Sequence, residues 1–78
     1  MFKRIEFTEL IHRFCWSQQK AQQRVISGRE FANDAGVSSA TFNRIYNGKT
    51  PDLETFLKLC AWMQVDPSEF INKPNTKP

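Results

Sequence analysis

Seventy-eight residues make one domain with a single core, and a domain of that size buries only about 60% of its unfolded surface. Seven Phe, two Trp and one Tyr supply large buried areas per residue, while eleven Lys and Arg against eight Asp and Glu leave a formal charge of +3. That excess suits a polyanionic partner without establishing one. No apolar run approaches the roughly 20 residues that span a bilayer, and no signal-peptide core is present, so a cytoplasmic protein is expected.

In chain order, Phe7, Leu10, Ile11, Phe14 and Cys15 recur at helical spacing and predict a first helix with one apolar face. The following Ser17-Gln18-Gln19-Lys20-Ala21-Gln22-Gln23-Arg24 has no large apolar residue and reads either as an exposed helical extension or as a polar connector. Three helix starts then share one grammar. Ile26-Ser27-Gly28-Arg29-Glu30-Phe31 carries a capping box, with Ser27 as cap and Glu30 three residues on, and Ile26 and Phe31 placed as a hydrophobic staple. Val37-Ser38-Ser39-Ala40-Thr41-Phe42 repeats the pattern with Ser38 as cap, and Val65-Asp66-Pro67-Ser68-Glu69-Phe70 repeats it with proline at the first helical position.

Gly36 ends the second helix and Asn47-Gly48 the third, as residues that enter the left-handed region readily. Asp52 is the expected cap of a fourth helix. Leu53, Phe56, Leu57, Cys60 and Ala61 would form its apolar face, with Leu59, Trp62 and Met63 in a second row beside it. The expectation is an all-α, compact five-helix bundle over residues 1–72, followed by a flexible polar tail over 73–78. Cys15 and Cys60 fall within apolar stripes and read as core thiols rather than a disulfide. His12 and Cys15 are three residues apart with Cys60 distant, too sparse for the four ligands of structural zinc. No metal or cofactor is expected, and with no nucleophile–base pair in sight, no enzyme.

The second and third helices are short and separated by Ala35-Gly36-Val37, the arrangement of a helix-turn-helix. Phe31, Ala35, Val37, Phe42 and Ile45 are apolar where the core would lie, and Ala32 is small where the helices would approach. What remains on the third helix is polar or small: Ser39, Ala40, Thr41, Asn43, Arg44 and Asn47. A major groove about 12 Å wide accepts one helix offering donors and acceptors to base edges. Arg44 can pair with guanine, Asn43 with adenine and Ser39 with either, while the methyls of Ala40 or Thr41 can meet a thymine methyl. No acidic residue occurs from Ala35 through Pro51, a span that includes Arg44 and Lys49.

With Phe31-Ala32, Gly36-Val37-Ser38, Thr41, Arg44-Ile45, Gly48-Lys49, Pro51 and the helix from Leu53, residues 26–71 resemble the phage repressor and Cro type of helix-turn-helix, the XRE family, whose fold is of the lambda-repressor type. The resemblance implies a sequence-specific regulator of transcription, in the main a repressor, acting in the cytoplasm of a bacterium or a phage host. It makes Ser38 the cap of the recognition helix, residues 39–47, and implies that Ser39, Ala40, Asn43 and Arg44 face bases. Asn47 would hold one phosphate, and Ser27 with the first turn of the second helix another. The family's frequent glutamine at the start of that helix is Gly28 here, and the stretch ahead of it is longer than usual. Lys20, Arg24 and Arg29 are therefore expected to supply the missing backbone contacts, with Lys49 a further phosphate contact.

Members of the family commonly bind near-palindromic operators as homodimers. Trp62, Met63, Phe70 and Ile71 form an apolar excess that would serve a dimer, with Phe2 and Ile5 as a second possibility unless the fifth helix folds back over it. An antitoxin or adaptor on the same fold, holding a protein partner through that excess, is the alternative reading.

Overall fold

The computed structural model describes residues 2–71; the tail expected over 73–78 lies outside the described residues. The described residues form four α-helices: α1 (Arg4–Gln22), α2 (Gly28–Ala35), α3 (Ser39–Tyr46) and α4 (Leu53–Met63). The polar run after Cys15 is an extension of the first helix, which carries on to Gln22 and closes with Gln23 at φ 56°.

The predicted caps form. Ser27 Oγ accepts from the Glu30 N–H while the Glu30 carboxylate accepts from the Ser27 N–H, a complete capping box. Ser38 and Asp52 accept from the N–H three residues on, at 3.1 and 2.9 Å. Gly36 at φ 82° and Gly48 at φ 100° carry the chain out of α2 and α3, conformations a β-carbon would strain.

The fifth helix is corrected to a single 3-10 turn, Pro67–Phe70. Its Asp66 carboxylate accepts from Ser68 N–H rather than Glu69 N–H, and the Glu69 N–H closes the tight turn onto Asp66 C=O at 3.0 Å. Ile71 is then drawn into extended backbone by a bridge to Phe2, with Lys3 N–H donating to Phe70 C=O at 2.7 Å. Pairing of Phe2 with Ile71 accompanies the end of the helix after one turn.

α4 turns a different row inward from the one expected. Its buried face is Phe56, Leu59, Cys60 and Met63, while Leu53, Leu57 and Ala61 are exposed. Those four sit at i, i+3, i+4 and i+7, the same spacing as Leu53, Phe56, Leu57 and Cys60, so packing rather than spacing selects the buried row. The apolar excess near the end of the chain is largely internal: Met63 and Phe70 are buried and Trp62 is half-buried.

Two aromatic groups fill the core. Phe7 meets Phe2, Phe56 and Phe70 edge-on at centroid distances of 5.6, 5.1 and 5.2 Å, joining α1 to α4, to the paired Phe2 and Ile71 and to the 3-10 turn. Trp62 packs on Phe14, Phe31 and Phe42 at 4.7, 5.7 and 5.9 Å, joining α4 to the other three helices.

Phe7→Ala, which removes the ring shared by the first group, is expected to cost about 3–5 kcal/mol in denaturant unfolding. In a domain this small that is a large share of the stability. Cys15 and Cys60 are free and buried, and burial pushes both thiols up to about 11, the Asp66 and Glu69 carboxylates adding to the effect at Cys60. Between an ordinary thiol value near 9 and about 11 the folded chain keeps protons the unfolded chain has released, so stability present below that window is lost as pH rises through it. At pH 8 both thiols should react with an alkylating reagent only at the rate of domain opening. Immediate labelling of either would contradict their placement.

Candidate nucleic-acid interface

Helix α3 is eight residues long and is held at both ends and along one side. At its start, Ser38 Oγ accepts from Thr41 N–H and donates to Thr41 Oγ1 at 2.8 Å. Along its inner side Phe42 and Ile45 are buried, and the Phe42 ring stacks on Phe31 of α2 at 6.1 Å. At its end, the N–H groups of Asn47, Gly48 and Lys49 return to the carbonyls of Asn43, Ile45 and Arg44, each at 3.0 Å. Two α1 side chains complete the hold: His12 Nε2 lies 2.7 Å from Tyr46 C=O, and Arg4 Nη1 donates to Gly48 C=O at 2.8 Å.

With Phe42 and Ile45 turned inward, Ala40, Asn43, Arg44 and Asn47 are exposed. Their spacing of i, i+3, i+4 and i+7 makes one stripe along the outer face. Three of the four residues expected at bases thus fall on that stripe; the fourth, Ser39, is half-buried at its edge. Asn47 continues the stripe by a turn beyond Asn43. Thr41 is half-buried, with its hydroxyl engaged by Ser38. Tyr46 lies on the His12 ring at 4.1 Å, which places it against α1.

The residues expected at phosphates divide among separate places. Lys49 lines a cleft of about 240 Å³ together with Arg44, which is expected at a base, and with Thr41, Thr50 and Asp52. Ser27 has its hydroxyl engaged in the capping box, and Arg29 is exposed in the first turn of α2. Lys20 and Arg24 share a surface groove with Trp16 and Val25, which are 67% and 85% exposed. The Arg24 guanidinium donates to both Glu30 carboxylate oxygens, at 3.3 and 3.0 Å, and to Gln22 Oε1 at 3.3 Å.

Two carboxylates near the surface, Glu30 and Asp52, are hydrogen-bonded, and Asp52 lines the cleft that holds Arg44 and Lys49. Hydrogen bonds from Arg24, and then from the Ser27 N–H, hold Glu30 below the usual carboxylate range. Asp52 is held low by hydrogen bonds from the Thr55 side chain and N–H. Gly28 bears directly on the outer stripe, because a β-carbon there would stand 3.4 Å from Asn43 Oδ1. Asn43 therefore leans over the position whose side chain is missing.

Sequence reasoning missed the roles of Arg4, His12 and Gln19. Gln19 Oε1 accepts from Ile26 N–H at 3.0 Å and fastens the connector between α1 and α2. None of the three belongs to an apolar row or a cap, so periodicity carries no signal for them. The exposure of Trp16 was legible in principle, because it stands outside the row Phe7, Leu10, Ile11, Phe14 and Cys15.

Among known proteins, the family model described as a Cro/C1-type HTH DNA-binding domain matches residues 18–74. No curated protein and no solved structure matches the chain.

Ser38→Ala removes the acceptor that starts α3 and should lower unfolding stability by about 1 kcal/mol. Amide exchange should quicken first at Thr41. Equal protection at Thr41 in the variant would show that the cap does not hold the helix start.

Proposed function

The chain belongs to the Cro/C1-type helix-turn-helix DNA-binding family, and from that premise we propose that it is a sequence-specific regulator of transcription that inserts α3 into the major groove of its operator. One observation carries this reading: Ala40, Asn43, Arg44 and Asn47 form a single exposed stripe within a stretch that holds no carboxylate from Ala35 through Pro51. Arg44 supplies the paired donors that suit guanine, and Asn43 the donor and acceptor that suit adenine. Ser39 and Ala40 complete the base contacts. Phosphate contacts set the register: Lys49 in the cleft beside Arg44, Asn47 at the end of the helix, Ser27 and Arg29 at the start of α2, and Lys20 and Arg24 along the groove behind it.

The regulator acts as a repressor in the cytoplasm of a bacterium or phage host and binds a near-palindromic operator as a homodimer. Its half-sites lie one helical turn apart, about 34–36 Å. The burial of Met63 and Phe70 takes away part of the apolar patch expected to serve either the dimer or an adaptor's protein partner, so it favours neither reading over the other.

Selection of bound sequences from random duplexes at two salt concentrations tests the reading. A symmetric, enriched motif supports it; no enrichment at either salt overturns it. Against the enriched duplex, Arg44→Ala should cost roughly 1–3 kcal/mol and relax preference at one base pair. Lys49→Ala should weaken all duplexes about equally. Lys20→Ala and Arg29→Ala should each flatten the slope of log affinity against log salt by about one unit. Arg24→Ala should flatten it less, because Glu30 already neutralises part of that charge.

A further inference from the structure

We propose that Arg4 and His12 are positioning residues: from α1 they fix the direction in which α3 presents its outer stripe, and so govern base discrimination without touching DNA. The inference rests on the proposed reading of α3 as the recognition helix. The last carbonyls of a helix lack partners within it. In α3 those of Asn43, Arg44 and Ile45 are met by the backbone of residues 47–49, and the next outward, Tyr46 C=O and Gly48 C=O, are met by His12 and Arg4. A carbonyl only accepts, so His12 Nε2 carries the hydrogen. Its ring also lies on the Tyr46 ring at a centroid distance of 4.1 Å.

Both donors stand at the negative end of the α3 dipole, where positive character is favourable. Their spacing gives the pair its mechanical meaning. Arg4 and His12 are eight residues apart, about 12 Å along α1. Both bonds land at one end of α3, on carbonyls two residues apart, and tie that end to two well-separated points of α1, adding to the hold that buried Phe42 and Ile45 already give. Arg4 is itself anchored, because the neighbouring Lys3 N–H bonds to Phe70 C=O and the Phe2 ring packs edge-on against Phe7 and Phe56. Both residues precede the segment matched by the family model, residues 18–74. Base contacts tolerate displacements of only about half an ångström. Loosening the end of α3 should therefore damage discrimination more than general attraction to phosphate.

The test uses the full chain with Arg4→Ala, His12→Phe and His12→Gln. Three quantities are read: the affinity ratio between the enriched duplex and a random duplex, the salt slope, and amide exchange at Asn47, Gly48 and Lys49. Arg4→Ala and His12→Phe should each lower the ratio about three- to tenfold, the scale of one lost hydrogen bond, and speed exchange at the three amides with the slope unchanged. His12→Gln, which keeps a donor near the Nε2 position, should restore both ratio and protection. An undiminished ratio, or unchanged exchange, overturns the proposal. A slope lowered by about one unit in Arg4→Ala overturns it for Arg4, since that residue would then meet a phosphate. If the unsubstituted chain prefers no duplex, the proposed function fails, whereas exchange at residues 47–49 separately decides whether the two anchors hold α3.

Discussion

Eight residues of helix do not persist in water, where the ordering of a first turn outweighs the few hydrogen bonds it gains. α3 therefore exists because Phe42 and Ile45 are buried against the other helices, at 2% and 3% exposure. Full burial of such side chains is worth about 1.5–3 kcal/mol each. The same two residues decide which way everything else on the helix points. Once Phe42 faces Phe31 and Trp62 and Ile45 is buried beside it on the same face, Ala40, Asn43, Arg44 and Asn47 have nowhere to go but outward. Packing thus decides which face of α3 is turned outward, and the hydrogen bonds from Arg4 and His12 at its end set the finer angle.

The remainder of the fold serves that burial. α2 supplies Phe31 and Ala32, and α4 supplies the Trp62 ring that touches both Phe31 and Phe42. α1 runs past them and reaches the end of α3 through His12 and Arg4. Away from α3, Phe2 and Phe70 complete the ring cluster around Phe7 and Phe56. Lys58 reaches from α4 to the Gly36 carbonyl at 3.4 Å, so the turn between α2 and α3 is also met by a cation.

Much of this was legible from local chemistry. Ser27, Ser38 and Asp52 announce helix starts because a cap acts within three residues of itself, and Gly36 and Gly48 announce ends for a similar reason. The outward stripe of α3 followed by elimination once Phe42 and Ile45 were assigned to the core. Elsewhere the signal was ambiguous or absent. α4 is apolar around so much of its circumference that periodicity does not choose between the row containing Leu53 and Leu57 and the row containing Leu59 and Met63. The short 3-10 turn depends on Phe2 pairing with Ile71, nearly a whole chain away. Arg4 to Gly48 and His12 to Tyr46 span 44 and 34 residues, and no spacing rule foresees a side chain meeting so distant a carbonyl.

The central claim is that the outer stripe of α3 meets the bases. The direct measurement is a nuclear magnetic resonance titration of the labelled chain with its enriched duplex, followed by intermolecular distance restraints from the side chains of Ala40, Asn43 and Arg44. The account predicts restraints from those side chains to base protons of the major groove, with weaker shift changes at Lys49 and the first turn of α2. Restraints confined to the groove around Trp16 and Val25, with the α3 side chains unmoved, would contradict it.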